Sequence, residues 1–95
     1  MSADELVLDL ARARSKQAMH RLLAQGLGFP DYYGMNWDAF WDCVRDDDQS
    51  CLPRHLVLEG MASLEQSLPH EARMLQQLLR ELQQERPALR VTIRA

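Results

Sequence analysis

The chain has 95 residues and a mass of 11.0 kDa, enough for one hydrophobic core and too short for two. Hydrophobic residues at 46% and charged residues at 26% exclude a disordered chain, and no apolar run approaches the roughly 18 residues that cross a bilayer. A net charge of −3 gives no basic surplus to hold phosphates, so neither nucleic acid nor membrane is an expected partner.

The opening MSADELVLDL lacks the basic start and apolar core of a secretory signal, and two cysteines, Cys43 and Cys51, are too few for a disulfide framework. The expected address is the cytoplasm, with both thiols reduced. Leu6-Val7-Leu8-Asp9-Leu10 is short, β-prone and mostly apolar, the pattern of a buried strand. Ser15 suits the N-cap of a first helix, whose Ala18, Met19, Leu22 and Leu23 fall at helical spacing. Gly26 and Gly28 are predicted to end it, and Pro30 blocks its resumption. After the irregular stretch 29–35, Asn36 is the predicted N-cap of a second helix running to about residue 45.

A polar loop over 46–53 leads to His55-Leu-Val-Leu-Glu59, a second buried-strand pattern. A short helical turn over 62–68 is broken by Pro69. A third long helix follows from about His70 to about Glu85, with Met74, Leu75, Leu78, Leu79 and Leu82 in one stripe and Pro87 beyond its end. Leu89, Val91 and Ile93 alternate with Arg90, Thr92 and Arg94, which predicts a half-exposed strand. Three strands joined by long helical connections permit parallel pairing. The predicted fold is therefore α/β, a single domain over 1–95 with a small three-stranded parallel sheet covered by three to four helices.

Charge and aromatic residues are both concentrated in one stretch. Residues 31–48 hold six aspartates against one base, Arg45, a balance of −5 that leaves +2 on the remaining chain. All six aromatics (Phe29, Tyr32, Tyr33, Trp37, Phe40, Trp41) fall between positions 29 and 41, which a core-forming role alone would not require. On a wheel at 100° per residue, Trp37, Trp41, Phe40, Val44 and Cys43 share one arc. Asp38, Asp42 and Asp46 stack at i, i+4 and i+8 on the opposite flank, and Trp41 borders the two. Each stacked pair costs the helix roughly 0.2–0.5 kcal/mol through like-charge repulsion. Asp38 gains from the helix dipole at the first turn, Asp42 has only Arg45 as a local partner, and 46–48 can be read as a solvated loop.

An acidic ridge beside flat rings offers a cationic protein cleft what it meets in RNA, negative charges flanked by rings. The residues therefore suggest a module that binds a basic protein. Catalysis is not expected. His20, His55 and His70 match no metal-ligand spacing, Cys43 points coreward, and no phosphate-cradling glycine loop is present. No cofactor and no metal ion are expected.

From position 32 to 43 the chain reads Tyr-Tyr-Gly-x-Asn-x-Asp-Ala-x-Trp-Asp-Cys, inside PDYYGMNWDAFWDC. This segment resembles the signature of the barstar family, bacterial intracellular inhibitors of the secreted ribonuclease barnase. Leu56-Val57-Leu58-Glu59 and Arg80-Glu81 also resemble family positions. The resemblance implies a three-stranded parallel sheet with helices, and a noncovalent plug over the active site of a small basic ribonuclease. Carried over by residue, Asp42 would occupy the nuclease's phosphate site and Asp38 would pair with its cationic groups. Tyr32 and Trp41 would pack at the centre, Asn36 would cap the inhibitory helix, and Glu81 would add a peripheral acidic contact. The 43–53 connection is longer here than in the family's namesake, and Trp37 replaces a smaller aliphatic residue. Alternative readings are an immunity protein that neutralises a different basic toxin, or a metal-dependent enzyme using the Asp38/Asp42 pair. The free protein is expected to be a monomer, although Tyr32 and Trp41 could also bury against a second copy.

Overall fold

The computed structural model describes residues 4–46, 48–49 and 51–95. The first three residues of the opening segment, and Asp47 and Ser50 of the acidic loop, lie outside the described residues. In chain order the elements are β1 (Glu5–Asp9), a 3₁₀ turn (Leu10–Arg12), α1 (Lys16–Leu27), α2 (Trp37–Arg45), β2 (His55–Glu59), α3 (Met61–Ser67), α4 (Pro69–Glu85) and β3 (Arg90–Ile93).

The three strands form one parallel sheet in the order β1-β2-β3. Parallel neighbours cannot be joined by a hairpin, so each pair is connected through helices, α1 and α2 for the first and α3 and α4 for the second. The register aligns Leu6 with Leu56 and Val91, and Leu8 with Leu58 and Ile93. Leu8, Leu56 and Leu58, with Leu6 and Val91 packed beside them, supply the sheet's share of the core, while Ile93 at the end of its row is exposed. The core continues into Met19, Leu23 and Leu27 of α1, Phe40 and Val44 of α2, Met61 and Leu64 of α3, and Leu75, Leu79 and Leu82 of α4. The opposite face is polar around Val7 and Val57, with His55 donating and accepting between Thr92 Oγ1 at 2.7 Å and Glu5 Oε2 at 3.2 Å.

Several boundaries differ from those expected. β1 is not a buried strand but an edge strand with one covered face: Leu8 is buried while Val7 is 46% exposed. Leu10 leaves the strand and starts the 3₁₀ turn, capped by Asp9, whose Oδ1 accepts from the Ala11 N–H at 3.1 Å. Gly26 lies within α1 rather than at its end; a Cβ there would stand 2.5 Å from Leu8 Cδ2, so it serves the close approach of α1 to β1. Gly28, left-handed at φ 71°, is the C-cap. The turn expected over 62–68 is a full helix, α3, and Pro69 opens α4, where its missing N–H has no intrahelical partner to lose.

Candidate functional site

α2 starts where Asn36 makes it start. The Asn36 side chain accepts from the Ala39 N–H at 2.8 Å and donates back to the Gly34 carbonyl at 3.2 Å, which satisfies an amide that the helix leaves orphaned. Just before it, Met35 is held at φ 53°, a left-handed conformation that L-residues seldom adopt. Phe40, Cys43 and Val44 are buried, whereas Trp37 and Trp41 are only half-buried. The aromatic cluster is in good part core: Phe29, Tyr33 and Phe40 are buried, and Trp37 and Trp41 pack against them from the apolar arc of the helix. Phe29 packs on Tyr33 and Phe40 at centroid distances of 4.9 and 5.8 Å, and Trp37 meets Phe40 edge-on at 5.3 Å.

The other flank of α2 carries exposed Asp38 and Asp42, about 6 Å apart along the axis at a rise of 1.5 Å per residue. Among the described residues neither carboxylate takes a hydrogen bond or an ion pair. The local Asp42–Arg45 pair read from the sequence does not form. Arg45 instead turns to α4, donating from Nε to Glu85 Oε1 at 3.1 Å, with its guanidinium carbon 5.0 Å from the Trp41 ring centre. Arg86 donates to the Arg45 carbonyl at 2.8 Å. At the opposite end of α2 the Trp37 indole donates to Glu71 Oε2 at 2.6 Å. These contacts hold α2 alongside α4 from both ends and set the angle of the acidic flank.

Asp46 is placed differently from the other two ridge residues. It is the C-cap of α2 and half-buried, and its carboxylate accepts from the Asp48 N–H at 2.9 Å and from Gln49 Nε2 at 2.7 Å. It organises the loop. Asp42, Arg45, Asp46, Asp48 and Glu85 line one shallow open cavity of about 590 Å³; Tyr32, Asp38 and Glu81 lie outside that lining. Tyr32 is 77% exposed in the segment leading to α2, and Glu81 is exposed on α4 one turn before Glu85. Cys43 is a buried free thiol raised in pKa by burial and then by Asp42 and Asp46, while Cys51 is free and exposed.

Two residues at this site gave no signal of their role in the sequence. His20, fully buried on α1, hydrogen-bonds through Nδ1 to the Tyr33 hydroxyl at 2.7 Å and packs 4.7 Å from the Trp37 ring. Glu71, at 7% exposure, is a buried carboxylate whose indole partner lies 34 residues earlier. No local pattern marks a contact across that separation. Among the described residues, no three His, Cys, Asp or Glu side chains gather closely enough to hold a metal ion, and no helix is long and apolar enough to cross a membrane.

Comparison with known proteins agrees with this architecture. The chain is 32% identical over 81 residues to the Bacillus subtilis (strain 168) protein named "Putative ribonuclease inhibitor YrdF", covering 85% of this chain and 87% of that one. A family profile described as Barstar (barnase inhibitor) matches residues 3–94, nearly the whole chain. With a parallel three-stranded sheet, four α-helices and the capped acidic helix in place, the protein belongs to the barstar family.

Proposed function

We propose that the protein is an intracellular bacterial inhibitor of a small basic ribonuclease, closing the nuclease's active site with the acidic flank of α2. The reading is carried by one observation: Asp38 and Asp42 stand exposed, one helical turn apart, with no partner among the described residues of their own molecule. The pair destabilises its own helix by roughly 0.2–0.5 kcal/mol. A surface selected only for stability would not retain that repulsion; a surface that meets guanidinium and ammonium groups on a nuclease would. Trp41 and Tyr32 supply flat, partly apolar contact beside the charges, the residue types that dominate interface energetics. Family membership and the named relative support the same reading. Within the ridge Asp42 and Asp38 carry the interaction, and Asp46 shapes the loop beside them.

Titrating the protein into a barnase-type ribonuclease assay tests this. Stoichiometric inhibition is expected, with association that slows steeply as salt is raised. Asp42→Ala should weaken binding by about 2–5 kcal/mol, the general range for truncating one member of a buried charge pair, and one for which this family's namesake complex is itself a standard case. A nuclease left fully active by excess protein, or Asp38→Ala and Asp42→Ala variants that both inhibit normally, would overturn the proposal.

A further inference from the structure

Beneath the acidic flank lies a polar chain with one member unaccounted for. His20 is completely buried, its Nδ1 is 2.7 Å from the Tyr33 hydroxyl, and its Nε2 is the one buried side-chain nitrogen or oxygen without a hydrogen-bond partner among the described residues. The Tyr33 hydroxyl lies 3.4 Å from the Asn36 carbonyl. That same carbonyl accepts the first intrahelical bond of α2, from the Phe40 N–H at 2.9 Å.

The hydroxyl has a single proton, so the imidazole tautomer decides where it goes. With the proton on Nε2, a donor is buried with nothing to receive it, at a cost of about 1–3 kcal/mol. Tyr33 must then give its proton to Nδ1, and the Asn36 carbonyl loses it. With the proton on Nδ1, the imidazole donates to the Tyr33 oxygen and the hydroxyl proton is free for the Asn36 carbonyl. Only a lone pair is left unmatched, and an unsatisfied acceptor is the more tolerable defect.

We infer that His20 is a positioning residue for α2, held as the Nδ1–H tautomer so that Tyr33 directs its proton to the carbonyl from which the helix begins. The chain runs from α1 through the loop to the N-cap, and so fixes where the Asp38–Asp42 flank is presented. Its consequence for inhibition rests on the function proposed above; the tautomer and its grip on α2 do not. A second proton on Nε2 would place an imidazolium where it cannot be solvated. The groups facing it are Lys16 one turn earlier on α1, which opposes the charge, and Glu71 on α4, which favours it but already accepts from Trp37. Desolvation is the largest of these influences and keeps His20 neutral.

Nitrogen NMR of the imidazole near neutral pH should show Nδ1 protonated and Nε2 bare; the reverse assignment overturns the inference. Amide exchange at Ala39 and Phe40 supplies the second readout. Protection there should fall about tenfold in Tyr33→Phe and in His20→Leu, the scale of one lost hydrogen bond. His20→Asn, whose amide donor falls near the Nδ1 position, should keep protection within about threefold of the native chain. Equal losses in His20→Asn and His20→Leu would reduce His20 to a space filler. The variants that lose protection should also inhibit barnase-type ribonuclease about tenfold less well, and unchanged inhibition would sever the link to binding. Failure of the functional proposal has a different signature: Asp42→Ala inhibits normally while the tautomer and exchange results stand.

Discussion

Trp37 and Glu71 show how one side chain can serve two tasks. The indole fills space against His20 and Phe40 while its N–H neutralises part of the cost of a carboxylate that the fold has buried. Trp37→Phe keeps most of the packing and removes the donor, so it should destabilise the protein by about 1–3 kcal/mol in chemical denaturation, the cost of a stranded buried acceptor. Glu71→Gln keeps an oxygen to accept and should cost less. The sequence gives Trp37 its place on the apolar arc but not its hydrogen bond, because the partner is 34 residues away on another helix. Asp46 illustrates the converse. Its i+8 spacing matches the ridge, yet it caps the helix end, where a short carboxylate reaches the next backbone amides more readily than it reaches outward.

At the scale of the element, α2 trades its own stability for what it presents. Asn36 strengthens the helix start, and Asp38 sits favourably at the positive end of the dipole, but Asp42 adds only repulsion. Replacing Asp42 by Asn should therefore raise the thermal stability of the free protein by a few tenths of a kcal/mol while weakening inhibition; a variant that loses both would contradict the division of roles. The start of α2 was legible because capping is a local rule, and its bounds follow from Asn36 and the wheel. The 3₁₀ turn and the one-sided character of β1 were not. A five-residue apolar run reads the same whether a strand is central or at an edge, and only the sheet order, with β1 outermost, exposes Val7. Gly26 was misleading for a related reason, since its role is contact with Leu8 rather than helix termination.

For the molecule as a whole, the acidic stretch is set against a basic one. Residues 10–30 contain four cationic side chains and no acid, immediately before the six aspartates of 31–48. A partner with a positive cleft is thus drawn to the acidic segment and repelled by the basic one, which biases the encounter before contact. Proton linkage acts on the same scale. His20 has its pKa lowered in the folded state, so the unfolded chain takes up a proton first as the pH falls. Its contribution should be full above the ordinary imidazole range, near pH 6.5, and decline below it by up to about 1.4 kcal/mol per pH unit. Denaturation midpoints measured across that range should show the decline in the native chain and less of it in His20→Asn.

The pairing of Glu5 with His55 across fifty positions also governs how the chain is made. The first strand is made before any strand it can pair with, and its backbone groups stay bonded to water until the middle of the sequence follows. α1 and α2 are built from neighbouring residues, but the Trp37–Glu71 and Arg45–Glu85 contacts that set the angle of the acidic flank wait for α4, so the surface proposed to meet the nuclease takes shape only once the later half of the chain is in place. The sheet is then complete only when β3, the last strand in the chain, pairs beside β2.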